Sequence, residues 1–133
     1  MPNIARSPRA SVDTTSAQFV QQHAGKILGQ DVAAGQPMEL RPDGRLYRFA
    51  GTAGAVFFGV APRSGRTGQP MTAYGLNTQF RAAAGTLTIG KTYFLSDTAG
   101  EIGDAAGTRD TVGSFFAVNT SDLIVTRTFG KVG

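Results

Sequence analysis

The chain has no cysteine, no tryptophan and a single histidine among its 133 residues. Without cysteine there are no disulfide staples and no thiolate metal sites. No apolar run approaches the roughly 18 residues that a membrane-spanning helix needs. The first nine residues, Met1 to Arg9, have no apolar stretch behind them, so the sequence predicts no secretory leader and a chain made in the cytoplasm. His23 would have to serve any Ser-His-Asp arrangement. It lies beside Gln21, Gln22 and Gly25, no Gly-x-Ser-x-Gly elbow exists, and it reads as a solvated or interface residue.

Acidic chemistry is equally sparse. Glu39 and Glu101 are the only glutamates, and Glu39 falls on a predicted strand with its side chain expected in solvent. The aspartates Asp31, Asp43, Asp97, Asp104, Asp110 and Asp122 fall in turns, where capping of backbone N–H groups accounts for them. The segment Asp97 to Asp104 holds three acids but lacks the ligand order and terminal Glu of a calcium-binding EF-hand loop. Gly51-Thr52-Ala53-Gly54 has no Lys-Ser/Thr after it, so it is no phosphate loop. No catalytic residue, metal site or cofactor is predicted, and the expectation is a non-enzymatic protein.

What is abundant is small: 18 glycines and many Ala and Thr, within a hydrophobic share of 41%. Nine Phe and the Leu, Ile and Val residues must supply most of the buried apolar area, at about 25 cal/mol per Å². A single domain with a thin core that gains from self-association follows. Net charge is +4, from ten Arg and three Lys against nine acids. The arginines stand apart along the chain, without the aromatic–basic alternation of an RNA-binding sheet. Scattered Arg fits the rims of protein interfaces, and no direct nucleic-acid partner is expected.

Residues 1–24 read as an extended arm. Pro2 and Pro8 break helices, and Phe19-Val20 is its main apolar cluster. Thr15 or Ser16 could cap a short helical turn through Gln22. Residues 25–133 form the β-rich body, where short apolar segments alternate with Gly, Pro, Asn and Asp turns. Strands are predicted at 26–29, 37–40, 46–49, 56–61, 70–74, 86–87, 93–96, 113–118 and 123–128. Turns are predicted at Pro42-Asp43-Gly44, Ser64-Gly65 and Ala99-Gly100. The best helical stretch, 78–84, is cut off by Gly85. The fold class is all-β, a small sandwich or barrel of short strands with an N-terminal arm.

An internal repeat runs through the body. Gly35-Gln36-Pro37-Met38-Glu39-Leu40, then Gly44-Arg45-Leu46 and Phe57-Phe58-Gly59-Val60, is matched by Gly90-Lys91-Thr92-Tyr93-Phe94-Leu95, then Gly100-Glu101-Ile102 and Phe115-Phe116-Ala117-Val118. Gly68-Gln69-Pro70-Met71 repeats the start of the first copy. In each Phe-Phe pair, strand alternation sends one ring inward and one outward. Phe57, Phe58, Phe115 and Phe116 are therefore the candidates for core and subunit interface.

The Gly-x-x-apolar-x-Leu strand, glycine turn and closing strand, strongest over 88–104 and continuing through 112–125, resemble the small cement (head-decoration) proteins of tailed-bacteriophage capsids. The closing strand departs from that pattern, reading Phe116-Ala117-Val118-Asn119 where the family has a Gly before its closing Ala. The resemblance implies a homotrimeric virion protein on the outer capsid surface, with the major capsid protein as partner. It also implies an arm that contacts the shell, for which Ile4, Arg6, Arg9, Phe19 and Val20 are the candidates: Phe19-Val20 as apolar anchor, Arg6 and Arg9 as ion-pair donors. A carbohydrate- or host-binding β module and a tail or fibre subunit remain alternatives at this stage.

Overall fold

The computed structural model describes residues 3–4, 11–12, 22–52 and 54–127. Among them are eleven strands and no helix. In chain order these are β1 (Ser11–Val12), β2 (Gln22–Ile27), β3 (Pro37–Leu40), β4 (Leu46–Arg48), β5 (Val56–Val60), β6 (Pro70–Tyr74), β7 (Gln79–Arg81), β8 (Thr92–Leu95), β9 (Ile102–Gly103), β10 (Phe115–Ala117) and β11 (Asp122–Val125). They form two curled antiparallel sheets, a five-stranded one ordered β2-β6-β5-β3-β4 and a six-stranded one ordered β1-β7-β11-β10-β8-β9. The all-β sandwich or barrel read from the sequence is the fold observed.

Local chemistry explains the hairpins. Between β3 and β4, Gly44 takes φ +81° and donates its N–H to the Arg41 carbonyl at 2.9 Å, while Asp43 Oδ1 accepts from Arg45 N–H at 2.9 Å. Pro-Asp-Gly thus closes the turn by the route expected of it. Gly100, at φ +74°, lies in the turn between β8 and β9, which Glu101 N–H closes by donating to the Thr98 carbonyl at 3.2 Å, while the Gly100 N–H donates to the Phe49 carbonyl at 2.9 Å. The Ser64-Gly65 prediction needs correction: Gly65 exchanges backbone bonds with Val32 at 3.0 Å in both directions, and the turn glycine is Gly68, at φ +88°. Residues 86–87 form no strand; Leu87 is buried as a single side chain. Residues 79–81 of the helix-like stretch are the strand β7, because β11 and β1 flank that segment on both sides and tertiary pairing overrides weak local propensity.

The repeat is realised as topology. In each unit the first strand pairs with the fifth, the fifth with the fourth, the fourth with the second and the second with the third. The hairpins match residue for residue, with Leu40 opposite Leu46 and Leu95 opposite Ile102. A full cross-strand row also matches: Gln22, Tyr74, Val60 and Pro37 in one sheet, Gln79, Ile124, Phe116 and Thr92 in the other. Phe116 therefore occupies the place of Val60, not of Phe58, so the two Phe-Phe pairs are out of register by two residues. Phe58 is the extra residue of a β-bulge, where the register shifts between Met38 and Glu39. Gly59, which follows it at φ +150°, has no room for a side chain: a Cβ there would lie 2.7 Å from the Tyr74 carbonyl oxygen.

Two clusters form the core. One holds Leu28, Val32, Met38, Leu46, Phe58, Ala61, Met71 and Ala73 inside the curl of the first sheet. Its seam closes where Leu28 bridges Leu46 and Gly29 N–H donates to the Leu46 carbonyl at 2.8 Å. The larger cluster lies between the units and joins Phe49, Phe57 and Val60 of the first to Phe80, Tyr93, Leu95, Phe115, Leu123 and Val125 of the second. With apolar surface on both sides of β5, both Phe57 and Phe58 are buried. The expectation of one outward ring holds for Phe115–Phe116 and fails for Phe57–Phe58.

Part of the predicted arm is tied to the body. Ile4 N–H donates to the Ile102 carbonyl at 3.0 Å, Asn3 bridges Gly103, and β1 pairs with β7. Ile4 packs against the shared core, so its half-buried side chain adds to the body. Arg6, Arg9, Phe19, Val20 and the proposed helical turn from residue 15 or 16 lie outside the described residues, except for Gln22, which is in β2.

These placements sort the phenylalanines by expected cost. Phe57→Ala, Phe58→Ala and Phe115→Ala should each destabilise by about 3–5 kcal/mol, and Phe116→Ala by under about 1 kcal/mol, as read by urea unfolding. Gly59→Ala should cost more than about 1 kcal/mol, since alanine there is both strained and crowded.

Candidate functional site

Buried acids in this fold organise backbone. Glu39 lies on β3 and is fully buried, contrary to the solvent-facing position expected from strand alternation. Its Oε1 accepts N–H bonds from Ala50, Gly51 and Thr52 at 2.9, 2.9 and 3.3 Å. Its Oε2 accepts from Arg41 Nε at 2.6 Å. Burial pushes the Glu39 carboxyl up, but the bonds from Ala50, Arg41 and Thr52 together outweigh it and hold the group below its ordinary value. The loop after β4 is shaped by this one carboxylate. Arg41 in turn lies over the Tyr47 ring, 3.8 Å from its centroid, and the Tyr47 hydroxyl donates to Asp43 at 2.5 Å.

The second unit uses aspartates in the same way. Asp110 is fully buried and accepts from the N–H groups of Leu95, Val112 and Gly113 at 3.0, 3.2 and 2.9 Å. Ser114 Oγ at 2.9 Å and Arg127 Nη2 at 2.8 Å complete its shell. Asp97 accepts from the Thr108 and Arg109 N–H groups, each at 3.1 Å, and these bonds lower its pKa. Asp31 is lowered likewise by the Thr67 N–H, and Asp43 by the Tyr47 hydroxyl. The capping role expected of turn aspartates is thus observed at Asp31, Asp43, Asp97 and Asp110.

Among the described residues, no group of three or more His, Cys, Asp or Glu is placed to hold a metal ion, and no helix is long and apolar enough to cross a membrane. His23 stands opposite Ala73 on β2. A small cavity of about 10 Å³, lined by Ile4, Gly35, Ala82, Gly100, Glu101 and Ile102, offers space for about one water molecule.

The feature left to act on other molecules is surface. Phe116 is 41% exposed, and with it Val112 at 69% and Ile89 at 64%. Phe116 stands opposite Ile124 on β11, which is half-buried, and Gly113 packs against Thr92 and Phe94. Strand alternation puts Phe94, Phe116 and Ile124 on the outer side of the second sheet, with Thr92 beside Phe116, while Val112 and Ile89 are exposed in the loops before β10 and β8. Sequence reasoning named Phe116 as a possible interface ring but missed Ile124, Phe94, Val112 and Ile89. The available signal was the alternation in 122–125, where Leu123 and Val125 point into the core and Ile124 away from it.

Comparison with family models, with curated proteins and with solved structures gives no match.

The clamp on the 50–52 loop gives a signed pH dependence. Because the folded Glu39 pKa is depressed, its contribution is complete above the ordinary glutamate value of about 4.3 and is lost as pH falls through the lower folded value. Glu39→Gln should destabilise by about 1–3 kcal/mol at pH 7. The gap to the unsubstituted protein should close as pH falls toward 3, in denaturant melts run across that range.

Proposed function

We propose that this chain is a structural virion protein: it binds the outer surface of an assembled phage capsid as a homotrimer, contacts the major capsid protein and stabilises the shell across capsomer joints. The observation that carries this reading is the apolar outer face of the second sheet. That sheet contains the segments holding the resemblance, with 88–104 forming the β8–β9 hairpin and 112–125 the β10–β11 pair. An exposed apolar surface of this kind usually marks contact with a partner.

The energetics of such a role need no reactive group. A protein that binds only the assembled shell stabilises it by mass action, about 2.7 kcal/mol per site at a hundredfold excess over Kd. A net charge of +4 suits an acidic partner surface. Arg6 and Arg9 remain the proposed ion-pair donors and Phe19-Val20 the proposed apolar anchor of the arm. Ile4 is withdrawn from that set because it packs on the body's own core.

The test is addition of purified protein to shells that lack it. Saturable co-sedimentation and a raised shell-disruption temperature are expected. Reversing Arg6 and Arg9 to Glu should weaken binding about tenfold and flatten its salt dependence. No binding at saturating concentration and low salt would overturn the reading, and a glycan-array signal in its place would favour the carbohydrate- or host-binding module.

A further inference from the structure

A curled sheet leaves two edge strands to be joined. The first unit joins its own: the chain leaving β2 reaches β4, where Leu28 bridges Leu46 and the Leu46 carbonyl accepts from Gly29 N–H at 2.8 Å. The second unit takes another course. After β7 the N–H groups of Ala82 and Ala83 both donate to the Ser121 carbonyl, at 2.9 and 3.1 Å. The chain then turns through Gly85, at φ +82°, and Leu87 N–H donates to the Thr120 carbonyl at 2.9 Å. Both acceptors lie just ahead of β11, so this stretch is spent on the β11 side of β7 and leaves the β9 edge to another segment.

That segment is the N-terminus. Ile102 holds the place of Leu46, and its carbonyl accepts from Ile4 N–H at 3.0 Å, the bond that Gly29 makes in the first unit. Asn3 bridges Gly103, and Ser11 and Val12 pair with Arg81 and Phe80 on the β7 edge. Both edges of the second unit are thus met by residues from the N-terminal segment, each time antiparallel.

The seat on β9 reads side chains as well as backbone. Ser96 is 1% exposed. Its Oγ donates to Asn3 Oδ1 at 2.5 Å and accepts from Thr98 N–H at 3.0 Å. A buried hydroxyl so placed has one proton to give and requires an acceptor at position 3. Beside it, Ile4 packs on the shared core and lines a recess with Ala82, Gly100 and Ile102. Gly35 lines the same recess, so the first unit supplies part of its wall. An edge with unpaired N–H and C=O groups is a template for an added strand, and pairings this short open at low cost.

We propose that the open seam of the second unit is a peptide-binding site, which takes an extended segment with an acceptor side chain followed by a branched apolar one. Asn3-Ile4 is its resident occupant, and the same sequence supplied by a separate molecule exchanges with it. The site needs neither a shell nor a second copy of the chain.

The test uses the full chain with its resident occupant disabled by Ile4→Asp. A fluorescent peptide of residues 1–12 should bind this variant saturably, read by anisotropy, and should raise its unfolding temperature. Unsubstituted protein should bind the peptide at least about tenfold more weakly, because its own segment competes at an effective concentration of about millimolar. Peptides carrying Asn3→Ala or Ile4→Asp should each lose about tenfold or more in affinity. In a body carrying Ser96→Ala together with Ile4→Asp, the preference for the Asn3 peptide over its Asn3→Ala form should vanish, an effect that a merely structural Ser96 would not produce. Circular dichroism establishes folding, and Asn3→Ala with Ile4→Ala replaces Ile4→Asp if that variant does not fold.

Three results overturn the proposal: a folded variant that ignores the peptide at about millimolar concentration, a scrambled peptide that binds as well, or unsubstituted protein that binds as tightly as the Ile4→Asp variant. Unsubstituted protein that dimerises, with the dimers lost in Ile4→Asp, would seat the segment on a second copy and overturn its assignment to its own body.

Discussion

Four aromatic rings run edge to face through the centre of this protein, from Phe49 to Phe57, Phe115 and Phe80, with centroids 5.7 to 6.1 Å apart. The first two rings belong to one repeat and the last two to the other. Each pair in the series adds about 0.5–1.5 kcal/mol beyond the area it buries. In a chain this rich in Ala and Gly, few other side chains could join the units. The meeting of Phe57 with Phe115 turns two small sheets into one body, and it also decides which faces are left outside.

From that contact the surface follows. Because the second unit packs on the outer side of β5, Val60 is covered and its counterpart Phe116 is not, while Tyr74 and its counterpart Ile124 are both half-buried. A duplicated unit that docks on its own copy in this way always leaves one used row and one unused row. The apolar outer face of the second sheet is therefore a consequence of the architecture. It is also the surface that the proposed contact with a shell would use.

The acids show a parallel division of labour. In a protein of short strands the loops outnumber the ladders, and their N–H groups need acceptors. Glu39 supplies one for residues 50–52, Asp97 for 108–109, and Asp110 for 112 and 113 together with Leu95. Arg41 and Arg127 neutralise the two buried members of this set. These carboxylates are engaged in holding loops, and the charge presented to other molecules is mainly that of exposed arginines such as Arg45, Arg63 and Arg66.

Period-two patterning and turn chemistry were legible in the residues because both act within a few positions. The β3 and β6 strands, the Pro42-Asp43-Gly44 turn and the duplicated hairpins could be read without any coordinates. Alternation is blind to which side becomes the core, so Phe58 and Phe116 looked equivalent although one is in a bulge and the other on the surface. The two-residue offset between the Phe-Phe pairs comes from ladder register, which depends on strands far apart in the chain. Alternation alone sends Glu39 to solvent, because its partners at 41 and 50–52 come together only when the β3–β4 hairpin folds back on itself. The sequence by itself determined that short strands and glycine turns would build two similar sheets. Only the tertiary structure decided which face of each sheet would be covered, since burial depends on the partner that arrives there.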